Sequence, residues 1–221
     1  MIKAIIFDFD YTLGDCTDGI VQCVNFALHK LAREEKDRES IKKTVGMSLK
    51  RTFAVLTGSN SESDACLFEQ YFLEKAADVM VKCAELYNHV QEILRELKAD
   101  GYKLGVVTTK GHAKIEGIMA KFDLTKTMDI LVGGDDVKIQ KPSPEGLLWT
   151  IEQLEVDTEE VLYVGDSLVD AETAKNANVK FLGVLTGTTT KEDFATFPYE
   201  FLGKDMVDIR NYIISTDMTE C

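Results

Sequence analysis

Short apolar runs alternate with amphipathic stretches along much of the chain. Apolar runs that are rich in β-branched residues and show little alternation are typical of strands covered on both faces. Five segments have this character, and we predict them as strands: Ile2–Phe7, Tyr102–Thr108, Met128–Val132, Val161–Val164 and Val179–Leu185. Helical patterns with short connections lie between them, so the sequence predicts an α/β fold with a parallel sheet.

Three apolar stripes with helical spacing predict the helices between the later strands. The first stripe is followed by Asp100 and Gly101, which is a common C-terminal stop signal, and the third begins just after Pro144. The stripes are Val90, Ile93, Leu94 and Leu97; Ile115, Ile118, Met119 and Phe122; and Leu147, Leu148, Ile151 and Leu154.

The stretch from about Asp15 to Tyr87 breaks the alternation, because it carries helical stripes and no convincing strand. The stripes are Ile20, Val24, Ala27, Leu28 and Leu31, and then Phe68, Phe72 and Ala76. One interpretation is an unusually long crossover within a single domain. The interpretation we favour is a helical domain at 16–87 inserted into an α/β core domain made of 1–15 and 88–221, with hinges near Cys16-Thr17-Asp18 and Tyr87-Asn88.

Composition limits the classes of function. The chain has 221 residues, with 25 basic and 38 acidic side chains and a net charge of −13, which weighs against non-specific nucleic-acid binding. The apolar stretch before Asp8 is too short for a signal-peptide core, and no later run approaches a membrane span, so we expect no membrane partner. The cysteines are odd in number and contain no CxxC, which favours a reduced cytoplasmic enzyme. They are Cys16, Cys23, Cys66, Cys83 and Cys221. For the oligomeric state we expect a monomer or a homodimer.

The strongest chemical signal is a pair of carboxylates, Asp8 and Asp10, directly after the first predicted strand. Ligands of open α/β sheets bind beyond the carboxyl ends of the strands. Two acids this close repel each other unless a cation or a proton lies between them, and oxygen ligands suit Mg²⁺. An isolated pair of this kind is also compatible with an acidic surface turn.

Three further signals follow or precede predicted elements. Thr108 and Thr109 end a strand and could hold a phosphate, or simply cap a helix. Lys141 stands just before a helix, where it could equally be an exposed charge, and Asp166 ends a strand, where it could be a helix cap. Each signal alone is weak, but four in one chain are hard to explain by capping.

With these motifs the sequence resembles the haloacid dehalogenase superfamily of Mg²⁺-dependent aspartyl phosphotransferases. The ordered motifs are DFDYTLGD, VVTTK, QKPSPE and GDSLVD, and the resemblance is to the branch of phosphoglycolate phosphatases and β-phosphoglucomutases. It covers nearly the whole chain. It implies a Rossmann-like core with an inserted helical cap that closes over the core and excludes water.

The resemblance also implies roles for individual residues. Asp8 would be the nucleophile, Asp10 the general acid and base, Thr108 a phosphate ligand and Lys141 the charge-balancing lysine. Mg²⁺ would be held by Asp8, by the Asp10 carbonyl and by Asp166. Asp170 would support Lys141 or the metal shell.

Two positions depart from the family pattern. Tyr11 stands where the family has glycine, and we expect it to have an ordinary negative φ, with its ring either lining the entrance or simply packing. Thr109 stands where this branch often has asparagine, which puts specificity in doubt rather than catalysis.

Basic residues are the candidates for binding the rest of an anionic substrate. In the predicted cap these are Lys50 and Arg51, which a solvated helix face would explain equally well. Lys110, with Thr109 and His112, is a similar candidate in the core.

The sequence therefore predicts a phosphatase that hydrolyses a small phosphate monoester, such as a phosphoglycolate-like metabolite. A β-phosphoglucomutase-like phosphomutase would use the same residues. A phosphonatase-like hydrolase would need a cap lysine, for which Lys50 is a candidate. An inactive phosphometabolite-binding or scaffolding protein is the remaining alternative.

Overall fold

The computed structural model describes residues 1–219, with side chains as far as Thr216. Cys221 lies outside the described residues. The described strands are β1 (Ala4–Phe7), β2 (Gly14–Asp15), β3 (Glu85–Leu86), β4 (Lys103–Val107), β5 (Ile130–Val132), β6 (Val161–Gly165), β7 (Lys180–Val184) and β8 (Phe201–Gly203). The described helices are α1 (Thr17–Lys30), α2 (Arg38–Lys42), α3 (Leu49–Thr57), α4 (Glu62–Cys83), α5 (Val90–Ala99), α6 (His112–Lys121), α7 (Glu145–Gln153), α8 (Leu168–Ala177), α9 (Lys191–Phe194) and α10 (Met206–Thr219), with a 3₁₀ turn at Thr158–Glu160.

Six strands form a parallel sheet in the order β5-β4-β1-β6-β7-β8. The central strand β1 is fully buried, and its Ile5 lies in register with Leu104 on one side and Leu162 on the other. All five predicted strands are confirmed, each with slightly different ends. The sixth, β8 at the sheet edge, was not predicted, because a three-residue strand carries too little pattern to recognise.

Helices cover the sheet, as the alternating pattern predicts. Ile6 and Tyr163 belong to a core cluster that includes Leu147 and Ile151 of α7 and Ala171 of α8. Helices α5 and α10 contact each other and pack against β4 and β8 respectively. The three predicted helical stripes correspond to α5, α6 and α7, with Phe122 and Leu154 directly after the last residues of α6 and α7. Leu148 of the third stripe is 40% exposed.

The chain divides into two compact units: residues 1–14 with the chain from Leu86 onward, and Asp15–Glu85. The second unit contains α1–α4, a helical region inserted after β1. Within it α1 packs along α4. The ring centroid of Phe68 in α4 lies 5.5 Å from that of Phe53 and 6.4 Å from that of Phe72. We propose that each unit is a separate domain.

None of the helices within residues 1–219 combines the length and apolar character that a bilayer-spanning segment needs.

Candidate active site

Three neighbouring strands deliver polar side chains to one edge of the sheet. Asp8 follows β1, Thr108 follows β4 and Asp166 follows β6. The Asp8 amide donates to the Val164 carbonyl at 2.8 Å, and the Thr108 amide donates to the Val132 carbonyl at 3.0 Å, so both residues are fixed at the strand ends. Because the strands are parallel, the sequence-predicted Asp8, Thr108 and Asp166 meet at the edge where ligands of open α/β sheets bind.

Lys141 reaches this edge from the loop that precedes α7. Its Nζ donates to Asp8 Oδ1 and to Asp170 Oδ1, both at 2.7 Å, and to the Tyr163 hydroxyl at 3.2 Å. The Lys141 side chain is only 6% exposed. The structure therefore brings Lys141, Asp8 and Asp170 together, although 133 positions separate the first pair in sequence.

Asp170 uses both of its carboxylate oxygens within the protein. Oδ1 accepts from Lys141 and, at 3.0 Å, from the Tyr163 hydroxyl, while Oδ2 accepts from the Ser167 amide at 3.1 Å and from the Ser167 hydroxyl at 2.5 Å. These bonds form a capping box at the start of α8. Of the two supporting roles predicted for Asp170, this geometry favours holding Lys141.

Burial and charge set the protonation of this cluster. Burial raises the pKa of Asp8 to about 7, with the Lys141 charge opposing the rise and the Asp170 charge adding to it. Burial also raises the pKa of Asp166 well above its usual value, and the charges of Asp170 and Asp8 raise it further. Burial lowers the pKa of Lys141, but the Asp170 and Asp8 carboxylates more than compensate, so its pKa is raised well above normal.

The cluster holds three carboxylates, those of Asp8, Asp166 and Asp170, and one ammonium group, that of Lys141. This excess of negative charge indicates a site for a divalent cation. Among the described residues, carboxylate oxygens of Asp8, Asp166 and Asp170 lie within 4.8 Å of one another. Oxygen-only donors suit a hard cation, and a cation would offset the burial and repulsion that raise the pKa of Asp8 and Asp166. The donor set thus fits a divalent metal.

The loop after β7 packs directly on Asp166. A Cβ placed on Gly187 would overlap the Asp166 carboxylate. The neighbouring Thr186 hydroxyl donates to the Tyr11 carbonyl. Glycine at 187 therefore permits a close approach of backbone to carboxylate that no other residue allows.

Lys110 and Asp10 form a buried ion pair. Lys110 Nζ lies 3.0 Å from Asp10 Oδ2, and the two side chains are 7% and 9% exposed. The other carboxylate oxygen, Asp10 Oδ1, is buried without a hydrogen-bond partner among the described residues. Lys110, predicted as a substrate ligand, thus contacts the predicted acid and base.

The expectation of an ordinary φ at Tyr11 was wrong. Its φ is +58°, in the left-handed region. The Phe9 carbonyl accepts from the amides of Leu13 and Gly14, and the Tyr11 amide donates to the Gly14 carbonyl at 2.7 Å, which closes a tight turn through this conformation. The Tyr11 side chain is buried, at 3% exposure, in keeping with a packing role.

The remaining predicted substrate residues occupy different places. Thr109 directly follows Thr108 and is partly exposed. Lys50 and Arg51 lie in the first turn of α3 in the helical unit, where Lys50 Nζ is 4.0 Å from Glu62 Oε1. Their contact with a substrate stays a prediction.

Tyr163 is a site residue that the sequence reasoning missed. The sequence pattern predicts only an apolar strand at this position, yet the Tyr163 hydroxyl bonds to both Lys141 and Asp170. A signal was present, because the hydroxyl of a buried tyrosine needs a polar partner and β6 is otherwise aliphatic.

Comparison with known proteins identifies the family of the chain. Residues 5–184 match the model of the haloacid dehalogenase-like hydrolase family. The chain is similar to the pyrophosphatase PpaX of Bacillus anthracis, with 30% identity over 217 residues and 98% of each chain covered. It is also similar to PpaX of Listeria innocua, with 29% identity over 209 residues and 94% of each chain covered.

Solved structures share the fold. A structure assigned to the haloacid dehalogenase-like hydrolases, from Bacteroides fragilis, has a TM-score of 0.90 and 36% identity, covering 93% of this chain and 98% of that one. A predicted phosphoglycolate phosphatase from Haemophilus somnus has a TM-score of 0.85 and 24% identity, covering 96% and 98%, and shows the fold alone. With the family match spanning most of the chain, the protein belongs to the haloacid dehalogenase-like hydrolases and is a phosphatase of that family.

Proposed function

We propose that the protein hydrolyses small phosphate monoesters through a phosphorylated Asp8, with Mg²⁺ as its metal ion. The observation that carries this proposal is the direct contact of Lys141 with both Asp8 and Asp170 beside Asp166. A lysine held against a carboxylate in a buried site places positive charge where phosphoryl oxygens would lie.

Asp8 supplies the nucleophile. One of its oxygens is held by Lys141, and the carboxylate attacks phosphorus, forming a new P–O bond while the bond from phosphorus to the leaving oxygen breaks. The Thr108 hydroxyl and nearby amides bind the phosphoryl oxygens, and the positive charge of Lys141 stabilises them. When bound at Asp8, Asp166 and the Asp10 carbonyl, Mg²⁺ supplies charge neutralisation for the phosphoryl group.

Asp10 moves the protons. It gives a proton to the leaving alkoxide in the first step and takes one from water in the second, when water attacks phosphorus and releases Asp8. Lys110 holds Asp10 Oδ2, while Asp10 Oδ1 is without a protein partner among the described residues, so Oδ1 is the oxygen we assign to proton transfer.

Two substrate classes stand out. We place phosphoglycolate-like monoesters first, as the motifs imply, with Thr109, Lys110, Lys50 and Arg51 as candidate ligands for the second anionic group. Pyrophosphate is the second candidate, since relatives covering almost the whole chain carry the name pyrophosphatase PpaX.

A substrate panel tests the proposal. Purified protein with Mg²⁺ would be assayed for phosphate release from 2-phosphoglycolate, pyrophosphate, sugar phosphates and a phosphopeptide, with Asp8→Asn as the inactive control. We expect release from the small substrates only. Sugar-phosphate isomerisation without phosphate release would indicate a phosphomutase, and borohydride trapping of a carbonyl substrate on Lys50 would indicate phosphonatase chemistry.

A further inference from the structure

Tyr163 is a buried aromatic residue on β6 with a polar group at the active-site edge. Its side chain is fully buried, and its ring packs 6.3 Å from that of Phe181, which belongs to the same core cluster. Phenylalanine would fill this space equally well. The hydroxyl therefore needs an explanation beyond packing, because a buried hydroxyl is stabilising only when it is hydrogen-bonded.

The hydroxyl lies in a closed set of hydrogen bonds. It accepts from Lys141 Nζ at 3.2 Å and lies 3.0 Å from Asp170 Oδ1 and 3.3 Å from the Val107 carbonyl, to either of which it can donate. Lys141 and Asp170 are themselves bonded at 2.7 Å. Each of the three side chains thus contacts the other two.

These contacts account for every donor of the Lys141 ammonium group. The group has three N–H donors, and its three acceptors are Asp8, Asp170 and Tyr163. Lysine is a flexible chain that carries a point charge, so two acceptors alone would leave its third donor undirected inside a buried site. Burial, with the Asp170 charge adding to it, raises the pKa of the Tyr163 phenol well above its usual value, so the phenol stays protonated.

We propose that Tyr163 is a positioning residue of the phosphatase reaction, whose hydroxyl fixes the Lys141 ammonium between Asp8 and Asp170. This inference rests on the proposed function, in which Lys141 stabilises charge on the phosphoryl group. Tyr163 itself touches no reacting atom. It acts by limiting the positions that the Lys141 charge can take, and misplacement of about 1 Å is enough to lower a rate about a hundredfold.

Tyr163→Phe removes the hydroxyl and keeps the ring. We expect kcat/KM for the best substrate of the panel to fall about ten- to hundredfold, mainly through kcat, with KM changed less than about threefold. The matched control is Tyr102→Phe, a buried tyrosine directly before β4, at the end of that strand opposite Thr108, which should leave kcat unchanged.

A double-mutant cycle separates positioning from packing. In a Lys141→Ala background, or in Lys141→Arg if the alanine variant does not fold, Tyr163→Phe should lower kcat/KM by less than about threefold further, because the ammonium group that Tyr163 positions is absent from both backgrounds. Circular dichroism and the unfolding midpoint would be recorded for every variant. An equal loss in both backgrounds, or a loss that only follows the unfolded fraction, would overturn the inference.

The outcomes also distinguish the inference from the function on which it rests. If Lys141→Ala strongly lowers turnover while Tyr163→Phe stays within twofold of the unmodified protein, the positioning role is wrong and the proposed function stands. If Lys141→Ala retains full turnover, the proposed reaction roles are wrong and the inference is overturned with them.

Discussion

Gly187→Ala adds one methyl group where the loop after β7 meets the Asp166 carboxylate. An ideally placed Cβ would overlap Asp166 Oδ2 and lie 2.8 Å from Asp166 Cγ. Ordinary contacts between carbon and oxygen are about 3.3–3.6 Å, so carboxylate and loop must separate by more than about 1 Å. Asp166 is 5% exposed at the end of a buried strand and has little room to retreat.

This displacement should affect metal binding more than stability. Overpacking costs about 1–3 kcal/mol of unfolding free energy. A metal ligand displaced by about 1 Å should raise the Mg²⁺ concentration for half-maximal activity at least about tenfold and lower kcat/KM about a hundredfold.

The assay is a Mg²⁺ titration of phosphate release, with urea unfolding of the same samples. The matched control is Gly111→Ala, whose added Cβ meets no atom nearer than 3.2 Å, and that atom is the end of the Asp135 side chain. The control should behave like the unmodified protein. Unchanged Mg²⁺ dependence and kcat/KM in Gly187→Ala would refute both the assignment of Asp166 as a ligand and the reasoning from close packing.

Three further predictions concern pH and backbone strain. Burial raises the pKa of Asp8 to about 7, so the folded metal-free protein keeps a proton that the unfolded chain loses above about pH 4. The free energy of unfolding of the metal-free protein should therefore fall as the pH rises from about 4 to about 7. The rise in melting temperature on adding Mg²⁺ should therefore grow from pH 5 to pH 8, and an equal rise at both would contradict this. A hydrogen bond to Asp136 raises the pKa of His112 despite partial burial, so the pair stabilises below about pH 6.5 and loses this effect at higher pH. In urea unfolding, Asp136→Asn should lower the free energy of unfolding by about 0.5 kcal/mol more at pH 5.5 than at pH 8.5. An equal loss at both pH values would count against a stabilising His112–Asp136 pair. Tyr11→Gly should relieve about 1–2 kcal/mol of backbone strain from the left-handed conformation and lose about 3–5 kcal/mol from burial of the ring. The free energy of unfolding should therefore fall by about 2 kcal/mol. A more stable variant would show that the buried ring contributes little.

The sequence was informative wherever local pattern and local chemistry coincide. β1 is apolar until Asp8, and the same abrupt change occurs at Thr108 and Asp166, so both the strands and the residues at their ends could be predicted. The edge strand β8 could not, since its three residues are paired only through β7.

Features that depend on long-range contacts were not predictable in the same way. The Lys110–Asp10 ion pair joins the ends of two strands, and nothing near Lys110 in sequence indicates its partner. The left-handed Tyr11 follows from turn hydrogen bonds that override the preference of a tyrosine. Tyr163 reads in the sequence as a core residue because its ring does pack in the core, and only its hydroxyl belongs to the site.

Chemical trapping of the phosphorylated residue tests the central claim most directly. The enzyme would be mixed with substrate and Mg²⁺, quenched in acid within one turnover and treated with borohydride, which reduces an acyl phosphate of aspartate to homoserine. Peptide mass spectrometry should find homoserine at position 8, dependent on substrate and absent from Asp8→Asn. Homoserine at another aspartate, or full turnover with Asp8 unmodified, would show that the phosphoryl group does not pass through this residue.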